Sequence, residues 1–69
     1  MGPRFPRLTA REIIGHLEKA NFSLARQSGS HRIYKNAAGK RITIPLHGSK
    51  ILHPKILKDI IRDSGIVLD

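Results

Sequence analysis

The sequence predicts an α+β domain in the order helix, three strands, helix. The three strands form an antiparallel sheet, and both helices lie on one of its faces. Three observations carry this reading. Apolar residues recur at helical spacing near both ends of the chain. Short apolar–polar alternations between them are separated by glycine-containing turns. Two amphipathic helices suffice to cover one face of so small a sheet, which leaves the other face wet.

The first helix is expected from about Ala10 to Ala20. Thr9-Ala10-Arg11-Glu12 has the form of a capping box, in which hydroxyl and carboxylate each take a backbone amide of the other residue. Ala10, Ile13, Ile14, Leu17 and Ala20 then form one stripe, and Asn21 is a stop signal. Phe22 to Gln27 reads as a strand, with Phe22 and Leu24 sharing a face. Ser28-Gly29 is the expected two-residue turn. Ser30 to Asn36, with Ile33 and Tyr34, reads as the second strand. Asn36 to Gly39 is a second turn. Lys40 to Ile44 alternates cleanly and stops at Pro45, with Ile42 and Ile44 on one face.

Leu46 to His53 is read as a connecting loop. Pro54 suits the first position of a helix, where its missing N–H is harmless. Ile56, Leu57, Ile60 and Ile61 give that helix its apolar stripe. Gly65 is expected as its left-handed cap, with Ile66 packing back on Ile61 as in a Schellman ending. This is the layout of double-stranded-RNA-binding domains, a likeness of fold that does not by itself assign a function.

A chain of 69 residues fits one domain, expected over 8–69. Residues 1–7, with Pro3, Pro6, Arg4 and Arg7, are expected to form a flexible basic tail that lacks the apolar stretch of a secretory signal. Thirteen Lys and Arg oppose five Asp and Glu, a formal charge of +8. Such a chain attracts polyanions and gains affinity by releasing their counterions. No apolar run approaches the ~20 residues needed to span a bilayer, so a membrane role is not expected. Without cysteine there is neither a disulfide nor a thiolate-bound zinc, which fits a cytoplasmic location. Four histidines without paired spacing give no metal site, and no cofactor is expected.

His31 is the candidate for chemistry. It begins the second strand, with Arg26, Arg32 and Lys35 near it in sequence and Lys40 and Arg41 on the next strand. Histidine exchanges a proton near neutral pH. RNA carries its own nucleophile, the 2′-hydroxyl, so its cleavage needs proton transfer and charge stabilisation, and His with Arg and Lys can supply both. Residue type and setting alone favour an ordinary polar strand residue at His31 over a catalytic one. His47, before Gly48-Ser49-Lys50, sits in a loop whose amides could hold a phosphate. Lys55 and Lys58, one turn apart, could grip phosphates or simply face solvent.

Gln27-Ser28-Gly29-Ser30-His31-Arg32-Ile33-Tyr34-Lys35 resembles the Gly-Ser-His segment of HicA toxins. The resemblance extends from Leu8 to Ile66. It takes in Asn21-Phe22 after the first helix, Ile42-Thr43-Ile44-Pro45 followed by His47, and the ending Ile60-Ile61-Arg62-Asp63-Ser64-Gly65-Ile66. It implies a toxin of a toxin–antitoxin pair, a metal-independent endoribonuclease that cleaves mRNA and is neutralised by a cognate HicB-type antitoxin. By carry-over His31 is the catalytic residue. The residues expected to bind RNA are Arg26, Ser30, Arg32, Lys35, Lys40, Arg41, His47, Lys50, Lys55 and Lys58. Two departures stand out: Arg32 replaces a second His common after the catalytic one, and Pro54-Lys55 replaces an early Gly in the last helix. The competing reading is a non-catalytic RNA-binding module. No helix-turn-helix spacing supports binding to DNA.

Overall fold

The computed structural model describes residues 7–46 and 50–68. Residues 1–6 of the tail expected over 1–7, and His47, lie outside the described residues.

The first helix, α1, spans Ala10–Lys19. Its capping box is present: the Glu12 amide donates to Thr9 Oγ1 at 3.2 Å, and the Thr9 amide donates to Glu12 Oε1 at 3.0 Å. Ala10, Ile13, Ile14 and Leu17 are buried. The helix stops as expected near Asn21, which takes a left-handed φ of 70°. The Asn21 amide then donates to Glu18 O and that of Phe22 to Leu17 O, the paired bonds of a Schellman ending. Phe22 is thereby turned into the core beside Leu17.

Three strands follow, β1 (Ser23–Ser28), β2 (His31–Lys35) and β3 (Arg41–Pro45), antiparallel in the order β1-β2-β3. Ser28 pairs with His31, so the turn residues are Gly29 and Ser30, one position later than the sequence suggests. Gly29 supplies the positive φ, 56°, at the first turn position. At the second turn, Gly39 has φ 86°, and Asn36 Oδ1 accepts from the Lys40 amide at 2.9 Å.

Tyr34 lies opposite Ile42, and all of Tyr34, Ile42 and Ile44 are buried. Both helices pack against β3, on that face. The opposite face carries His31, Ile33 and Lys35 of β2 and Arg41, Thr43 and Pro45 of β3. Leu24 departs from expectation. It does not join Phe22 in the core but is 49% exposed. The register shifts between Leu24 and Arg26, leaving Ala25 as a bulge, and β1 is an edge strand exposed along its whole length.

The connection to the second helix is more structured than a loop. Ile51 bridges Thr9, the Leu52 amide donates to Leu8 O at 2.8 Å, and Leu52 is 2% exposed. The second helix, α2, spans Pro54–Ser64, with Pro54 at its start and His53 Nδ1 accepting from the Lys55 amide at 3.1 Å. Leu57 and Ile60 are buried, while Ile56 and Ile61 are half-buried against the core. Gly65 is the left-handed cap, φ 73°. The ending is the single-bond form rather than the Schellman form: the Gly65 amide donates to Ile61 O, but the Ile66 amide donates to Ser64 Oγ. The Ser64 hydroxyl, itself buried, competes for the amide that a Schellman ending would use.

Candidate functional site

The site is assembled by the β1–β2 turn. Because Gly29 and Ser30 make the turn, His31 is the first residue of β2, paired with Ser28 on one side and Pro45 on the other. Alternation along β2 then sends its side chain to the face without helices, where it is exposed. The Leu46 amide donates to Ser30 O at 2.6 Å and ties the end of β3 to the turn. His31 is thus an accessible imidazole on a paired backbone. The side-chain hydrogen bonds at this end of the sheet, Gln27 Nε2 to Gly29 O and Arg32 Nε to Gln27 Oε1, leave its ring uninvolved.

Arg26, Lys35 and Arg41 share the open face with His31. Arg26 lies opposite Ile33 and is therefore the diagonal neighbour of His31, at about 7–8 Å between backbones. Lys35 and Arg41 oppose each other four residues along the sheet, about 13 Å from His31. All three are exposed. The strands contain no carboxylate: Glu12 and Glu18 belong to α1 and Asp59 and Asp63 to α2. Among the described residues the ion pairs are those of Arg62 with Asp59 and Asp63, on α2. Among the described residues the charges of the open face are therefore all cationic, and none of them is in an ion pair.

The other expected residues are distributed elsewhere. Arg32, adjacent to His31, points to the helix side, half-buried, because neighbouring strand residues face opposite ways. Lys40 sits past the far end of the sheet, its Nζ only 3.9 Å from where a Cβ on Gly65 would stand, over the C-terminus of α2. A cation there complements the helix dipole. Lys50 is exposed beside Ile51, next to the start of α1, and Lys55 and Lys58 are exposed on α2 in the helical layer. Ser30 is exposed in the turn. Arg11, the second residue of α1, is exposed and lies off its apolar stripe. It meets Arg32 at one pocket, a juxtaposition for which the sequence has no local signal.

This arrangement can move a proton at His31 and stabilise negative charge beside it. Among the described residues no group of three or more His, Asp or Glu stands where it could hold a metal ion. No helix among them is long and apolar enough to cross a membrane. The family model of the HicA toxin of bacterial toxin–antitoxin systems matches residues 10–66, from the first residue of α1 to the apolar residue that follows its counterpart α2. No curated protein matches the chain. The agreement in order, spacing and extent establishes that the chain belongs to the HicA toxin family.

Proposed function

We propose that this toxin-family member is an endoribonuclease that cleaves mRNA in the cytoplasm by acid–base catalysis at His31, without a metal, and that a HicB-type antitoxin neutralises it. One observation carries the reading: an exposed imidazole at a sheet end, on a face whose charges among the described residues are cationic. A base takes the proton of the 2′-hydroxyl, the 2′-oxygen bonds to phosphorus, and the bond from phosphorus to the 5′-oxygen breaks. The departing oxygen receives a proton. The products are a 2′,3′-cyclic phosphate and a 5′-hydroxyl, so no external nucleophile is needed. His31 serves one of the proton transfers, worth roughly 10²–10⁴ in rate. Arg26 is, among the described residues of the open face, the cation nearest to His31 and stabilises the phosphorane. DNA lacks the 2′-hydroxyl and is not a substrate. A basic open face suits both an RNA strand and an acidic inhibitor that covers it.

The test is His31→Ala on single-stranded RNA. The variant is expected to keep the wild-type circular dichroism spectrum and to lose cleavage and growth inhibition. Cleavage by the wild type is expected to survive EDTA and to leave cyclic phosphate ends. Undiminished cleavage by His31→Ala would sink the assignment. Wild-type protein that shifts RNA on a gel but leaves it intact would make it a binding module.

A further inference from the structure

A pocket of about 220 Å³ opens on the helix side of the same sheet end, lined by Ala10, Arg11, Ile14, Arg32 and Leu46. Its floor is apolar: Ala10 and Ile14 are core residues and Leu46 packs against the core. Its rim is two guanidinium groups. Neither takes part in an ion pair among the described residues. The nearest carboxylate in sequence, that of Glu12, is held by Thr9 in the capping box. Arg32 Nε donates to the neutral Gln27 Oε1 at 3.3 Å, which orients the group and, among the described residues, leaves its charge without a carboxylate partner. The Glu12 amide is already taken by Thr9 Oγ1, so an anion arriving here meets guanidinium groups rather than that amide.

We propose that this pocket receives one nucleotide of a single-stranded RNA, the neighbour of the phosphodiester presented to His31. The base lies against Ala10, Ile14 and Leu46, and its phosphates are held by Arg11 and Arg32. This rests on the ribonuclease reading and adds where the adjacent nucleotide goes. The volume sets the size of the ligand: it falls below the roughly 300 Å³ of pockets that take drug-sized molecules, so it fits a single ring system. The rim sets the class. Guanidinium groups bind phosphate in bidentate fashion and stack on flat rings, and RNA presents both in every unit. The path follows from the strand. His31 and Arg32 have backbones about 3.8 Å apart and side chains on opposite faces, so one RNA strand must round the end of the sheet to reach both. At Gly29 nothing beyond its chain neighbours lies within 4 Å of the position a Cβ would occupy. A flexible single strand can make this bend, and a stiff duplex cannot.

The experiment uses a labelled single-stranded oligoribonucleotide and the full chain in a His31→Ala background, so that binding is read without cleavage. Arg11→Ala and Arg32→Ala together are expected to weaken binding roughly tenfold at 0.15 M salt. They should also flatten the slope of log affinity against log salt by about 1.4, because each phosphate contact on a single strand contributes about 0.7. Arg32→Lys is expected to keep the slope and lose part of the affinity. In a parallel NMR titration, adenosine monophosphate is expected to shift the amides of Ala10, Ile14 and Leu46 more than ribose 5-phosphate does. An unchanged salt slope, or amide shifts confined to the open face around Arg26 and Lys35, would overturn the pocket while leaving the ribonuclease reading standing. So would a double variant that handles RNA normally but escapes a protein inhibitor. RNA bound by the pocket yet never cut by the wild type would overturn the ribonuclease reading alone.

Discussion

Leu24→Ala distinguishes the linear reading of β1 from its place in the fold. In the linear reading Leu24 shares the core with Phe22, and truncating a core leucine costs about 2–5 kcal/mol. The structure assigns a smaller loss. Removing three carbon groups at about 0.8 kcal/mol each, for a side chain that is 49% exposed, gives about 1.2 kcal/mol. No cavity term is added, because the site is open to solvent. For a domain of this size that is a fall in Tm of about 5–10 °C. Leu17→Ala is the internal standard: Leu17 is 0% exposed. Its loss should approach the few kcal/mol, roughly 3–5, that a core this small supplies in total. Thermal melts and urea titrations followed by circular dichroism would compare the two variants. Equal destabilisation by Leu24→Ala and Leu17→Ala would refute the reasoning, since it would mean that the exposed edge position of β1 does not leave Leu24 outside the core, although Leu24 lies opposite the buried Tyr34.

Other outcomes test the remaining supports. Thr9→Ala removes the acceptor for the Glu12 amide and should cost about 1 kcal/mol, whereas Thr9→Ser should restore most of it in the same melts. Gly65→Ala forces a side chain into φ 73° and should destabilise by about 1 kcal/mol, although no atom blocks the new methyl group. Lys35→Ala combined with Arg41→Ala removes the far pair of cations on the open face. It should flatten the salt dependence of RNA binding by about 1.4, and a slope equal to wild type would place RNA elsewhere.

The elements themselves were legible because their signals are local. Both helices follow from a stripe of 3.6 periodicity and from caps made by residues within a turn of each other: Thr9 with Glu12, Asn21 after Ala20, Pro54 at the start and Gly65 at the end. The alternation of Ile42 and Ile44 likewise announces which face of β3 is buried. Leu52 was missed because two apolar residues in a connection have no period. What buries it is the pairing of Ile51 with Thr9, distant in sequence. The ending of α2 depended on a competition between a hydroxyl and a carbonyl for one amide, which composition does not rank.

The candidate site divides the same way. The sequence by itself determined that a histidine follows a glycine turn amid Arg and Lys, and its resemblance supplied the family. Which of those cations accompany His31 was a matter of register. Pairing Ser28 with His31 and Tyr34 with Ile42 sends His31, Lys35 and Arg41 to the open face, turns Arg32 toward Arg11, and leaves Lys40 over the end of α2. A one-residue slip would exchange the two faces of a strand. Side chains of a strand alternate with period two, so only the pairing of the whole sheet, anchored by Tyr34, Ile42 and Ile44 in the core, decides which neighbour in sequence is a neighbour in space.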